Sequence, residues 1–418
     1  MKIYRFTLLL LVLFVACGNE TDDPINKGGD NNADPDPVKV TGVSLDIDKI
    51  TLYKDEELSL VATILPENAT DKSMEWKSSA PEIARVDKSG KIIPQKEGEA
   101  RITVKTADGE KQASCLVYVT GTYNVLHIGN SFTQDAIENH YADLIAKSGI
   151  TDKVFLSWLH KGGRTVAEHS EKYKVSDAPE YNEYYYQIMK PSGNTMKWEH
   201  VQPSGTGNSP KVVKATQWNL ITIQEHTGTK DAWEWNDRHR NNLEGLIQNI
   251  RKDQKGAPKI IYVMAVAYGD PAKMVSSSEI KTMVLQDHFQ SDQKKMYDVI
   301  VDRAKKAIAA TSVDGVIATG TMLQNLRTSS ANTPVDLTRD GYHMDKGIAR
   351  YGAACTFFES IFTPVFGVKL DGSYANTSSN TAIGDNYTTP VTTINGPLAL
   401  KAARSAIEKP FEITPMTD

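Results

Sequence analysis

Cysteine is scarce in this chain, with three in 418 residues at positions 17, 115 and 355. A disulfide framework is therefore not expected. Cys115 and Cys355 lie in apolar contexts in different parts of the chain and read as buried thiols. Cys355 falls within a helix expected over residues 351–361, a poor place for a nucleophilic thiolate. Positive charge is not in excess either: 47 Lys and Arg face 52 Asp and Glu, for a net charge of -5 and a pI near 6.0. That balance excludes a surface built to track phosphate backbones, so no nucleic-acid partner is expected. Metal-binding patterns are missing too. There is no His-Glu-x-x-His, no clustered Cys and His and no Asp-rich calcium loop, so neither metal nor cofactor is expected. The apolar stretch Phe6 to Val15 is too short to span a bilayer.

That stretch has another meaning. Lys2 and Arg5 precede it, and Leu13-Phe14-Val15-Ala16-Cys17-Gly18 closes it. Small or apolar residues directly before a cysteine resemble a bacterial lipobox. The resemblance implies cleavage before Cys17, lipid attachment there, and a mature chain held outside the cytoplasm, periplasmic or at the surface of a Gram-negative bacterium. Residues 17–37, rich in Asp, Asn, Gly and Pro, hold too little apolar surface to order themselves and read as a flexible tether.

Residues 38–120 change character. Short alternating runs such as "LSLVATI", "ARITVKT" and "SCLVYV" have a period of two and turn residues between them, the pattern of an all-β sandwich. The stretch "WKSSAPEIARVDKSGKI", Trp76 to Ile92, followed by "GEARITVKT", resembles the bacterial Ig-like group 2 domain. Trp76 is then expected between the sheets and Ser89-Gly90 in a hairpin turn. The family implies a spacer or adhesion module.

From Tyr123 near-continuous apolar runs alternate with amphipathic stretches. The runs begin at Asn124, Val154, Trp218, Lys259 and Gly315, with helices expected over 134–147, 238–253 and 292–310. Such strands imply a parallel sheet covered by helices on both faces, with ligands gathering beyond the carboxyl ends of the strands. An aromatic insertion over 172–213 either walls a cleft or packs on itself as a surface hairpin. Its Tyr184–Tyr186 run and Trp198, with Trp233 and Trp235, are candidates for stacking on sugar rings or for the core. "GPLALKAARSAIEKPF" reads as a closing helix.

The first of these strands ends in Gly129-Asn130-Ser131. A serine hydroxyl becomes a nucleophile only with a base in reach, a group orienting that base and donors for the oxyanion. Of nine histidines, His343 has the most suitable setting. In "DLTRDGYHMDKG", Asp340 precedes it by three residues across the permissive Gly341, so one carboxylate can hold the imidazole of its own segment. Asp345 is placed to cap the helix that follows. Phe132-Thr133 after the serine exclude the Gly-x-Ser-x-Gly elbow.

Gly129-Asn130-Ser131 after the first strand, with Asp340-Gly341-Tyr342-His343 near the end, resembles the SGNH (GDSL-type) hydrolase superfamily, in a branch with Gly-Asn-Ser for Gly-Asp-Ser. The resemblance implies an α/β flavodoxin-like three-layer fold over about Tyr123 to Phe366, within a hydrolase-like domain running from 121 to 418. It also implies ester hydrolysis through an acyl-serine, with Ser131 as nucleophile, His343 as base and then acid, and Asp340 as its orienting carboxylate. For the family's glycine amide donor "LHKGGRTVAEH" offers Gly162 and Gly163, and Gly163 is the match because Arg164-Thr165 then follow as in the family pattern. The family's oxyanion asparagine is missing: the third strand ends "LITIQEHTG", leaving Gln224 as its expected substitute and His226 as the competing candidate. The reading that results is a lipid-anchored esterase for acyl groups, acetyl above all, on carbohydrate. Acyl transfer uses the same residues. The other reading is a non-catalytic glycan-binding or adhesion lipoprotein on the same fold.

Overall fold

A computed structural model describes residues 36–54, 56–174, 209–227, 234–254, 257–273, 285–333, 336–372 and 389–417, and the backbone alone of 183–192 and 195–201. The signal segment, Cys17, most of the tether and Trp233 lie outside these residues, as do the side chains of Tyr184–Tyr186 and Trp198.

The N-terminal part is a β-sandwich. One sheet holds β2 (Lys49–Tyr53), β9 (Gln112–Thr120), β8 (Gly98–Thr106) and β5 (Met74–Ser78), in that order. The facing sheet holds β3 (Leu58–Ser59), β7 (Lys91–Pro94) and β6 (Ala84–Val86), and β1 (Gly42–Leu45) pairs with β4 (Ala62–Leu65). Alternation sets the core: in β8 the residues Ala100, Ile102 and Val104 are buried, and in β9 Cys115, Val117 and Val119. Trp76 packs against this core, half-buried. Gly90 takes φ +85°, and a Cβ there would lie 2.7 Å from the Trp76 ring, so both the turn and the packing require glycine.

One residue, Gly121, separates β9 from β10 (Thr122–Gly129), the first strand of the second part. Here five strands run parallel, in the order β11 (Lys153–His160), β10, β14 (Leu220–Gln224), β15 (Lys259–Val263) and β16 (Gly315–Ile317). Numbered along the chain this is 2-1-3-4-5, the flavodoxin-like doubly wound order. Every residue of β14 is buried, as a strand covered on both faces must be. The α/β fold expected from the sequence is thus the fold of this part.

The aromatic insertion forms β12 (Glu183–Ser192) and β13 (Thr195–Val201), a hairpin that extends the sheet antiparallel at the β11 edge. The helix expected over 134–147 is two: α1 (Ser131–Ile137) and α2 (Tyr141–Lys147), split around Asn139-His140. The other helices that matter for the site are α3 (Val166–Tyr173), α4 (Ser209–Ala215), α5 (Asp237–Asp253), α6 (Gln293–Ala310), α7 (Thr319–Arg327) and α8 (Ile348–Ile361). A short α9 (Thr363–Phe366) follows, and α10 (Asn395–Glu408) is the closing helix, packed with α7 and α8. Helix α8 is buried along nearly its whole length, Cys355 included; both described cysteines are free thiols.

Candidate active site

In a 2-1-3-4-5 sheet the crossovers from the first strand leave in opposite directions on either side of it, opening a crevice at its carboxyl end. Strand β10 is that strand, flanked by β11 and β14, and Ser131 is the second residue beyond it. Close packing fixes this turn. A Cβ on Gly129 would lie 2.0 Å from Thr133 Oγ1 and 2.8 Å from Gln224 Cβ, so a side chain would push α1 off the sheet. Asn130 caps α1: its Oδ1 accepts from the Phe132 amide at 3.0 Å, and its Nδ2 donates to the Arg164 carbonyl at 3.0 Å. Fully buried, it joins the serine turn to the loop after β11.

The histidine arrives on a loop closed on itself. Thr338 and Met344 form an antiparallel bridge, and the Arg339 amide donates to the His343 carbonyl at 3.0 Å. Gly341, at φ +85°, makes the reversal between them. Asp340 Oδ1 accepts the backbone amides of Tyr342 (3.2 Å) and His343 (2.8 Å). Asp340 Oδ2 stands 2.6 Å from His343 Nδ1, and His343 Nε2 stands 2.8 Å from Ser131 Oγ. A carboxylate can only accept, so Nδ1 carries the proton and the Nε2 lone pair faces the serine hydroxyl. Burial pushes the Asp340 carboxyl up. Its hydrogen bonds from the His343 ring and from the amides of His343 and Tyr342 outweigh this and bring it down to about 2, so it is ionised at neutral pH. Tyr342 lies against the imidazole with 3.6 Å between ring centroids, and Phe132 flanks it at 5.8 Å. Ser131, His343 and Asp340 are therefore joined by hydrogen bonds across 212 residues of sequence.

Gly163 lies in the loop after β11 at φ +70°, with nothing within 4 Å of where its Cβ would be. Gln224 does not take the place expected of it. Its side chain is buried, and Nε2 reaches the carbonyls of Glu225 (3.3 Å), Val263 (3.3 Å) and Met264 (3.4 Å). Its two N–H groups serve main-chain acceptors just after β14 and at the end of β15, which corrects the reading of this residue as an oxyanion donor. His226, two residues on, has its ring 5.8 Å from that of Phe132.

Two buried ionic groups escaped the sequence reading. Glu225 Oε1 accepts the amides of His226 (2.9 Å) and Val166 (3.3 Å), while Oε2 meets Arg303 Nη2 at 2.5 Å. One carboxylate thus ties the start of α3 and the loop after β14 to α6. Its signal in the sequence was a charge set directly after a wholly buried strand, LITIQ. Asp135, wholly buried on α1, binds Arg339 and Arg350. It lies one turn after Ser131, a spacing that places both on one face. Trp235 is partly buried, with the Arg303 guanidinium 5.9 Å over its ring.

Fold and site together define a doubly wound α/β protein with a serine, histidine and aspartate chain at its topological switch point. Residues 124–386 match the family described as a domain of unknown function, DUF4886, and the chain belongs to that family. Residues 39–117 match the bacterial Ig-like domain, group 2. A crystal structure of a DUF4886 family protein from Bacteroides uniformis is 27% identical, covers 70% of this chain and 97% of its own, and superposes with a TM-score of 0.52. An uncharacterized protein of Clostridium acetobutylicum is 39% identical over 125 residues, 28% of this chain and 29% of its own length. An Ig-like virion protein of Serratia phage KSP90 is 39% identical over 84 residues, 20% of this chain and 33% of its own. The matches to these two relatives thus span a third of their lengths or less.

Proposed function

We propose that this protein is a serine esterase that cleaves acyl esters through an acyl-serine intermediate. The observation that carries the reading is the unbroken chain from Asp340 through His343 to Ser131 Oγ, at the carboxyl edge of the sheet. In the first half-reaction Ser131 Oγ attacks the ester carbonyl while its proton passes to His343 Nε2. The tetrahedral adduct collapses, the alkoxide leaves with that proton, and the acyl group stays on Oγ. Water then attacks the acyl-serine with His343 again taking the proton. Collapse returns the proton to Oγ and releases the acid. Asp340, held ionised, keeps the ring oriented and stabilises it when charged. The oxyanion is met by the amide of Ser131, at the positive end of α1, by the Gly163 amide and by the His226 side chain in place of Gln224. Loss of one such donor lowers turnover by roughly 10²–10³.

Acetyl groups on carbohydrate are the proposed substrates, through the resemblance described above. The same proposal holds the chain outside the cytoplasm by lipid at Cys17, and among the described residues no helix is long and apolar enough to cross a membrane. The test uses the purified chain, a chromogenic acetyl ester and a fluorophosphonate probe. Hydrolysis and labelling are expected from the native chain and neither from Ser131→Ala; an inert native chain overturns the reading. In cells, Cys17→Ala should move the chain from the membrane fraction to the soluble one, and unchanged partitioning would refute the anchor.

A further inference from the structure

The serine and its base come from segments that share no strand and no helix, so something must hold α1 and the 336–347 loop in register. Asp135 occupies that place. Its Oδ1 accepts from Arg339 Nη1 at 2.7 Å and from Arg350 Nη2 at 2.6 Å, and its Oδ2 accepts the Met344 amide at 2.9 Å. Met344 is the residue after His343. Arg339 Nη1 also donates to the Met344 carbonyl at 2.6 Å, so both polar groups of that peptide residue are held. Arg350, at the start of α8, reaches back to Glu138 on the same side of α1 at 2.8 Å. The carboxylate is wholly buried and both of its oxygens are used.

We propose that Asp135 is a positioning residue of the esterase centre: by gripping the backbone beside His343 from the helix that begins with Ser131, it sets the contact between Nε2 and Oγ. The inference rests on the esterase reading given above. It follows from three points of chemistry. A carboxylate is acceptor-only and here faces three donors, so no neutral side chain of the same shape can replace it. An amide would turn N–H groups toward either the two guanidiniums or the Met344 amide. Asp135 also lies one helical turn from the nucleophile, so its grip passes to Ser131 through a rigid element and to His343 through a single peptide bond. A shift of about 1 Å in such a contact lowers the rate by roughly a hundredfold.

The experiment compares native chain, Asp135→Asn and Arg339→Lys. It counts active sites by exhaustive fluorophosphonate labelling, then measures kcat per labelled site and KM with the chromogenic acetyl ester. Asp135→Asn is expected to lower kcat per site and the labelling rate constant by about tenfold to a hundredfold, with KM held within about twofold. Arg339→Lys keeps the charge but is one bond too short to put its nitrogen where Arg339 Nη1 bridges Asp135 and the Met344 carbonyl, and should show a smaller loss in the same direction. A merely structural role would lower the number of labelled sites and leave kcat per site unchanged, and that result overturns the inference. So does a rise in KM at constant kcat. Should Asp135→Asn fail to fold, Arg339→Lys decides alone by the same criteria. An inert native chain would instead overturn the esterase reading itself, an outcome read without either variant.

Discussion

At the scale of single residues, the site depends on which atoms accept and which donate. Asp340 accepts two backbone amides on one oxygen and the imidazole on the other, and is thereby held ionised. Its carboxyl titrates near 2 in the folded chain, against an ordinary value of 3.8. A carboxyl lowered on folding adds stability above its unfolded pKa, and that contribution fades as pH falls toward the folded value. The melting temperature of Asp340→Asn should therefore lie below that of the native chain at pH 6, and the two should converge between about pH 4 and 2. Parallel curves over that range would show that the carboxylate has no such linkage. The same substitution removes the acceptor that fixes the imidazole tautomer, and turnover on an acetyl ester is expected to fall by roughly 10³–10⁴.

At the scale of elements, the reading of the sequence succeeded where local pattern and packing agree. Period-two strands announced the sandwich. Five apolar runs announced the parallel sheet, because strands buried on both faces are predominantly apolar. The Ser131, His343 and Asp340 contact was legible because Ser131 sits where a strand gives way to a helix, and Asp340 and His343 lie three residues apart in one tight loop. Asn130 caps a helix, which contributes about 0.5–2 kcal/mol, and Gly341 permits a reversal. The rest was hidden for one reason: a side chain's partner depends on which elements meet. Gln224 offers an amide at the right place in the chain, yet β15 ends beside it with carbonyls to satisfy, and these take its donors. Asp135 reads as one polar residue in a short helix, and only the fold brings Arg339 and Arg350 to it. The break between α1 and α2 was missed because apolar periodicity continues across it, while the His140 ring is drawn to the Lys346 carbonyl at 3.3 Å.

At the scale of the whole molecule, the main hydrophobic cores of the two parts share no residue among those described. Ile102, Val104 and Val117 belong to one part; Val125, Ile221 and Phe357 belong to the other. Between the two parts lie Gly121 and polar contacts such as Lys153 Nζ, 5.4 Å over the Tyr53 ring. Separate cores imply separate cooperative units, so scanning calorimetry should resolve two transitions. Ile102→Ala should lower one of them, by about 2–5 kcal/mol of local stability, and leave the labelling rate of Ser131 unchanged. A single transition shifted as a whole would show that the parts unfold as one.

The single-residue joint has a geometric consequence. Val40 is bound to Asp108 at the hairpin between β8 and β9, so the first described residues enter the sandwich at the far end of β9 from Gly121. From that hairpin to the serine turn, β9 and β10 trace a strand path of roughly 55 Å at about 3.3 Å per residue. The described chain enters the sandwich at one end of that path, and Ser131 follows its other end. With the chain held at Cys17 as proposed, lengthening or trimming the residues ahead of Val38 should alter how far Ser131 can travel from that anchor.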